Sequence, residues 1–305
     1  MDCMSNSHSS TKAIFYAFSA NLGIAIAKGV ATVITGSGSM MAETIHSLAD
    51  CINQLLLFWG LKRAQIPPSK EYPLGHGKVI YFWSFIVAML LFGMGGIFSI
   101  YEGIHKLVEA KPLTTPYVAI AVLISSIFLE SGSLFGAVKE IIKVKKTQTF
   151  FQWLFKSRSA ELIVVFAEDV AALLGLSFAL LFLLLALFTG NPIYDAYGSI
   201  FIGALLIVVS IFIVTRIKAL IIGRSADPEI VEFIEKEVSA NKNIEKLLKV
   251  ISVQMGPDIM ISIKILMNER LKINEACVVI NEFEKKIKAR YPEIKWSFVE
   301  PDIAD

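Results

Sequence analysis

Cysteine and charge are both scarce in this 305-residue chain, and each scarcity argues against a class of protein. The three cysteines lie far apart and form no C-x-x-C pair, so neither a disulfide framework nor a thiolate metal cluster is expected. Charged residues make up only 18% of the chain, hydrophobic residues 55%, and the net charge is +2. Soluble domains contain about 45–50% apolar residues. The composition therefore indicates a protein of the lipid bilayer. We expect no nucleic-acid partner.

Long hydrophobic runs are what the chain has in abundance. A membrane-spanning helix needs about 20 apolar residues, and six segments meet that length: 12–34, 39–61, 79–101, 116–138, 161–188 and 194–222. Residues 1–11 are polar, and we expect them to be disordered. The sequence thus predicts a transmembrane domain over residues 12–222.

The basic residues predict how these helices are oriented, because Lys and Arg collect in cytoplasmic loops. One side of the membrane carries thirteen of them: Lys62, Arg63, Lys70, Lys78, Lys139, Lys143, Lys145, Lys146, Lys156, Arg158, Arg216, Lys218 and Arg224. The other side carries two, Lys106 and Lys111. We therefore expect a multi-pass protein with both termini in the cytoplasm, placed in the inner (plasma) membrane if the source is prokaryotic.

Residues 223–305 have the composition of a soluble domain. Apolar residues at helical spacing follow Asp227, which is a plausible N-cap ahead of Pro228. Two strands joined by a turn at Gly256 come next, then a second helix and a third strand. The order αββαβ, with both helices on one face of the sheet, predicts a cytoplasmic ferredoxin-like α+β domain. The fold class is therefore six transmembrane helices followed by this domain.

The second hydrophobic segment carries ionisable residues that a lipid-facing helix would not tolerate. Glu43, His46, Asp50 and Asn53 are spaced three or four apart and share one stripe of a helix. A charged side chain in lipid costs roughly 3 kcal/mol unless it faces the protein interior or a water-filled path.

Three other hydrophobic segments also carry ionisable residues, namely Lys28, Glu130 and the adjacent pair Glu168 and Asp169. One imidazole with carboxylates from two helices suits Zn²⁺, and Mn²⁺, Fe²⁺ or Co²⁺ would also fit. Two other roles remain open for Glu168: hydrogen bonding to a metal ligand, or forming an ion pair with Lys28.

Several motifs resemble those of the cation diffusion facilitators, which are proton-coupled exporters of divalent metals. They are TGSGSMMAETIHSLADCINQ at 35–54, YPLGHGK at 72–78 and NPIYDAYGSIFIGALL at 191–206. The αββαβ tail is similar to the family's dimerisation domain. The motifs IHSLAD, LESGS, EDVAALLG and LIIGRS are closest to the branch that includes the mitochondrial zinc transporter.

The resemblance implies a transport site with two ligands on each of two helices. His46, Asp50 and Asp169 match three of these positions, while Val165 occupies the fourth and cannot bind a metal. The missing ligand has four alternatives: Glu168, water, Asn53 or Glu130. Apart from that position, we expect supporting or proton-relay roles for Asn53, Glu43, Glu130 and Lys28.

The resemblance also implies a homodimer formed through the C-terminal domain, metal/proton antiport by alternating access, and a weak loop site at His76. No histidine follows His105, so the family's histidine-rich site cannot form in the C-terminal domain. Two rivals remain: a regulatory subunit that does not transport, and an intramembrane enzyme using the H-x-x-x-D pair. The chain has no H-E-x-x-H motif, which weighs against the enzyme.

Overall fold

The computed structural model describes residues 18, 21–109, 115–145 and 149–304. The predicted disordered segment 1–11 and the basic residues Lys111 and Lys146 lie outside these ranges. The described chain divides into two compact units. Unit 1 contains the described residues up to Gly60 together with Trp83–Ile217, and unit 2 contains Leu61–Phe82 together with the chain from Lys218 onward.

The described residues of the first 222 form seven helices, because long apolar runs alternate with short polar connectors. They are α1 (Asn21–Thr35), α2 (Gly38–Ala64), α3 (Val79–Val108), α4 (Pro116–Val144), α5 (Phe150–Lys156), α6 (Ala160–Thr189) and α7 (Ile193–Ile222). Helix α5 is a short segment that begins with a capping box between Thr149 and Gln152.

Four of these helices, α3, α4, α6 and α7, are long and apolar enough to cross a membrane. The prediction of an α-helical membrane protein is therefore confirmed for these four segments. Helix α1 is shorter within the described chain, and α2 has 27 residues but carries the polar stripe. That α1 and α2 also cross the membrane stays a prediction.

Helices α3 and α7 approach each other closely where glycines replace side chains. Residues Leu91–Ile97 of α3 form a π-helical stretch with three glycines. A Cβ on Gly96 would lie 2.5 Å from Ile207 Cγ1, and a Cβ on Gly203 would lie 2.7 Å from the carbonyl oxygen of Gly96. Small residues at such crossings let the helix backbones touch, which provides the van der Waals contact that holds membrane helices together.

Unit 2 contains a three-stranded sheet and two helices. The elements are α8 (Pro228–Ala240), β1 (Ile244–Met255), β2 (Asp258–Met267), α9 (Ile273–Arg290) and β3 (Ile294–Pro301). Strand β2 is central: it pairs antiparallel with β1, with Ile251 opposite Ser262, and parallel with β3, with Ile263 opposite Val299. Asp227 caps α8 as predicted, accepting a hydrogen bond from the Glu229 N–H at 3.2 Å.

The core of unit 2 lies on one face of this sheet. Alternate residues of β2 point to that face, and they pack against Ile230 and Ile234 of α8 and against Phe283 and Ile287 of α9. The predicted order αββαβ and the placement of both helices on one face are thus confirmed. The ferredoxin-like classification stays a prediction.

The segment Leu61–Phe82 packs within unit 2, at the turn between β1 and β2. Gly256 has φ = 75°, a conformation that favours glycine, and its N–H donates to the Tyr81 hydroxyl at 2.9 Å. The loop containing His76 is therefore placed beside this hairpin by a direct hydrogen bond.

Candidate metal centre

Helix α2 brings His46 and Asp50 together through its own periodicity. They are four residues apart, so their side chains lie one turn from each other, with His46 Nδ1 3.5 Å from Asp50 Oδ1. The imidazole is fully buried, and neither of its nitrogens has a hydrogen-bond partner among the described residues. Buried polar atoms are almost always paired. A buried imidazole that has no hydrogen bond within the described chain and lies beside a carboxylate is therefore suited to bind a ligand.

Helix α6 provides the two neighbouring carboxylates, and each is held by a side chain from another helix. Asn53 of α2 donates to Glu168 Oε1 at 2.6 Å, and Ser133 of α4 donates to Asp169 Oδ1 at 3.1 Å. Sequence reasoning predicted a supporting role for Asn53 but missed Ser133. Its position three residues after Glu130, on the same helical stripe, was the only available indication.

These side chains surround a small cavity inside unit 1. Its volume is about 50 Å³, which is enough for a few water molecules or one ion with part of its hydration shell. The cavity is lined by Asn21, Ile24, Ser47, Asp50, Gln54, Glu130, Ser133, Val165, Glu168, Asp169 and Ala172. Four carboxylates from three helices thus line one cavity.

Predicted site residues relate to this cavity in different ways. Asp50, Asp169, Glu168 and Glu130 all line it, although Glu168 and Asp169 are adjacent in sequence and point about 100° apart on the helix. Val165 also lines it, one turn before Asp169, and offers only methyl groups. His46 stands beside Asp50 without being part of the lining. Helix α4 therefore contributes Glu130 to the cavity lining. From the sequence, Glu130 was one of several alternatives for the missing ligand.

No three His, Cys, Asp or Glu side chains in the described part of the chain are close enough together to hold an ion as they stand. Binding would require side chains to turn toward a common point. Four buried atoms of His46, Asp50 and Asp169 have no hydrogen bond to another described residue that would have to break: His46 Nδ1, His46 Nε2, Asp50 Oδ1 and Asp169 Oδ2. A cation would favour this inward movement by cancelling the repulsion between the carboxylates.

Lys28 and Glu43 form a separate buried ion pair beside the cavity. Lys28 Nζ of α1 lies 3.1 Å from Glu43 Oε2 and donates to Ser47 Oγ at 2.7 Å. Both side chains have no exposed surface. The alternative in which Lys28 pairs with Glu168 is therefore wrong in this structure, because Lys28 is occupied by α2 and Glu168 by Asn53.

The beginning of α2 is held by a carboxylate from another helix. Asp195 lies in the first turn of its own helix, α7, but its carboxylate accepts hydrogen bonds from Ser37 Oγ at 2.6 Å and from the Gly38 N–H at 2.5 Å. A negative charge at the first N–H groups of α2 stabilises that end of the helix. Asp195 thus anchors the helix that carries His46 and Asp50.

The loop histidine belongs to a different cavity, in unit 2. His76 lines a space of about 220 Å³ together with Asp258 and Lys295, and the Asp258 carboxylate accepts from Lys295 Nζ at 2.8 Å. The His76 ring contacts that of Tyr72, with centroids 4.4 Å apart. His76 Nδ1 is buried without a partner in the described chain. Asp258 is the one carboxylate of this lining, and the lysine already neutralises it.

Long apolar helices packed around a small acidic cavity define a multi-pass membrane protein with buried ionisable groups, the class in which ion carriers are found. Residues 14–216 match the model of the cation efflux transmembrane domain. The chain belongs to the cation efflux family, the cation diffusion facilitators, as predicted. This is a family of cation transporters, so the prediction that the chain is not an enzyme is also confirmed.

Several proteins are similar in sequence to most of this chain. It is 35% identical to the proton-coupled zinc antiporter SLC30A9, mitochondrial, of Xenopus laevis over 231 residues, which are 75% of this chain and 41% of the relative. It is 32% identical to metal tolerance protein C4 of Arabidopsis thaliana over 225 residues, 73% and 49% of the two chains. The match to magnetosome protein MamB of Magnetospira sp. (strain QH-2) is 23% over 287 residues, 92% and 91%. The chain thus spans less than half the length of the first two.

Proposed function

We propose that this chain exports Zn²⁺ across a membrane in exchange for protons. The observation that carries the proposal is the cavity in unit 1, which four carboxylates line beside a buried imidazole whose nitrogens have no hydrogen bond within the described part of the chain. Such a concentration of ionisable groups within membrane helices is costly. A transported cation offsets that cost. The relatives named as zinc antiporters support the choice of ion.

His46, Asp50 and Asp169 are the ligands that we propose, with Glu168 in place of the residue that Val165 does not supply. Asn53 engages one oxygen of Glu168 at 2.6 Å, which leaves the second oxygen for the ion. Ser133 orients Asp169 in the same way. Hydrogen bonds of this kind orient ligands and typically contribute 10–100-fold to metal affinity.

Proton exchange follows from the chemistry of these ligands. A metal binds neutral imidazole and ionised carboxylates, so its binding displaces protons and their return displaces the metal. Alternating access would open the cavity to one side of the membrane and then to the other. Cytoplasmic zinc would then leave on the far side as protons enter.

We further propose that α1 and α2 cross the membrane, which gives six spans with both termini in the cytoplasm. The basic residues support this orientation, since thirteen lie on one side and two on the other. The αββαβ domain would be ferredoxin-like and would join two copies of the chain.

A second candidate is an exporter of Mn²⁺, Fe²⁺ or Co²⁺. The observation that favours it is the lining of the cavity, in which carboxylates outnumber nitrogen ligands. Oxygen ligands suit manganese better than a site rich in imidazole or thiolate would. Comparing the ions in one assay separates the two candidates.

The test uses the full chain in liposomes that contain a zinc indicator and a pH-sensitive dye. We expect zinc to enter as protons leave, and both fluxes to be lost in His46→Ala/Asp50→Ala. The matched control is His105→Ala, which removes a histidine that stacks on Tyr101 outside the cavity lining. Zinc flux that survives in the double variant would refute the site. No flux of any metal in the unaltered chain would favour the regulatory subunit.

A further inference from the structure

The buried ion pair between Lys28 and Glu43 lies outside the proposed set of metal ligands, so metal coordination does not explain why it is present. Lys28 has no exposed surface, and its ammonium contacts two residues of α2, Glu43 and Ser47. Burying two charges is expensive even when they are paired, and a well-packed apolar pair is often as stable. The fold alone therefore gives little reason for a lysine at this position.

Ser47 connects this pair to the cavity. Its hydroxyl accepts from Lys28 Nζ at 2.7 Å, and Ser47 is also part of the cavity lining. The ammonium is thus one hydroxyl away from the space that the carboxylates surround.

The pair is also fixed in position. Gly175 of α6 faces Glu43, and a Cβ on that glycine would lie 2.6 Å from Glu43 Oε1. Helix α1 is held to α2 a second time one turn away, where the Thr32 and Thr44 hydroxyls are 2.8 Å apart. Lys28 therefore presents a positive charge at a constant place beside the cavity.

We propose that Lys28 and Glu43 together set the metal affinity of the transport site. The ammonium opposes a dication in the cavity and weakens its binding, while the Glu43 carboxylate reduces that opposition. A carrier must release its ion, so a built-in cation that limits affinity serves transport. The inference rests on the proposed function, and Lys28 acts as a positioning charge without being a ligand.

The two partners of this pair should then have opposite effects. Removing the positive charge in Lys28→Met should lower the Kd for Zn²⁺, and removing the negative charge in Glu43→Gln should raise it. A unit charge roughly 10 Å from a dication changes its affinity by about four-fold at the dielectric of water and by more than a hundred-fold at an effective dielectric of about 20. The site lies between these limits, so we expect shifts of about ten-fold or more in each direction.

A purely structural pair predicts something different. Breaking a buried ion pair from either side destabilises the protein, so both single variants would then lose affinity or stability together. The double variant Lys28→Met/Glu43→Gln restores a neutral pair and should bind zinc with nearly the original Kd. Thr32→Val is the matched control, because it removes a contact between α1 and α2 without changing any charge.

The experiment is a titration of the purified full chain with Zn²⁺ and with Mn²⁺, together with KM and kcat for transport in liposomes. We expect Lys28→Met to lower both KM and kcat, since tighter binding slows release. Should Lys28→Met fail to fold, Glu43→Gln and the double variant still test the idea, and their Kd values should differ about ten-fold. Equal Kd values in those two, or shifts in the same direction in both single variants, would overturn the inference. A wild-type chain that binds neither metal would instead refute the proposed function.

Discussion

The hydrogen bond between Asn53 and Glu168 offers the sharpest test of how the fourth ligand is supplied. Asn53 is fully buried and Glu168 is 7% exposed, with 2.6 Å between Nδ2 and Oε1. The substitution Asn53→Leu keeps a side chain of similar size and removes the donor. The Glu168 carboxylate would then lose the group that holds it at the cavity wall.

The size of the effect follows from the kind of bond. A hydrogen bond to a charged group contributes about 1.5–3 kcal/mol, and every 1.4 kcal/mol is about ten-fold in an equilibrium constant. If Glu168 binds the ion, Asn53→Leu should therefore raise the Kd for zinc by about 10–100-fold. Glu168→Gln should raise it at least as much, because that variant removes the charge itself.

Zinc titration of the purified full chain measures both variants, with thermal unfolding as a check on folding. Ser210→Ala is the matched control: it removes a buried hydroxyl of α7 that donates to Ile207 within its own helix at 2.8 Å. We expect this control to leave the Kd unchanged. If Asn53→Leu binds zinc as tightly as the unaltered chain does, then Glu168 is not a ligand and Glu130 becomes the candidate.

Two further predictions concern residues on α6 and α7. Val165→His places an imidazole on the cavity wall one turn before Asp169. In competitive uptake this variant should favour zinc over manganese by about ten-fold or more. Unchanged selectivity would contradict the assignment of position 165 as a ligand position. Asp195→Ala removes the acceptor for Ser37 and Gly38 at the start of α2. It should destabilise the protein by about 1–2 kcal/mol, measured by thermal unfolding and by faster hydrogen exchange at the first turn of α2, and unaltered exchange there would show that the cap is unimportant.

Much of unit 2 was predictable because its patterns are local. The alternating isoleucines of the sequence fall in β2, Asp258–Met267, which begins directly after Gly256 and Pro257. Asp227 stands immediately before α8, Pro228–Ala240, and Pro292 follows shortly after the end of α9, Ile273–Arg290. Each of these depends on neighbours within a few residues.

Partners across helices could not be predicted in the same way. Asp195 stands in the first turn of α7, so its sequence position suggested a cap for that helix, yet it binds the start of α2, 157 residues earlier. Lys28 had two acidic partners available, and helix packing selected Glu43. Spacing along one helix indicates which residues share a stripe but not which helix that stripe faces.

The sequence by itself determined that α2 carries a stripe of ionisable residues, since a helix repeats every 3.6 residues and His46 and Asp50 are four apart. Only the tertiary structure decided that Glu130, Glu168 and Asp169 share one cavity with Asp50, and that Lys28 stands beside it. Helix periodicity is a property of the chain, whereas a cavity exists only where side chains from several helices fail to fill the space between them.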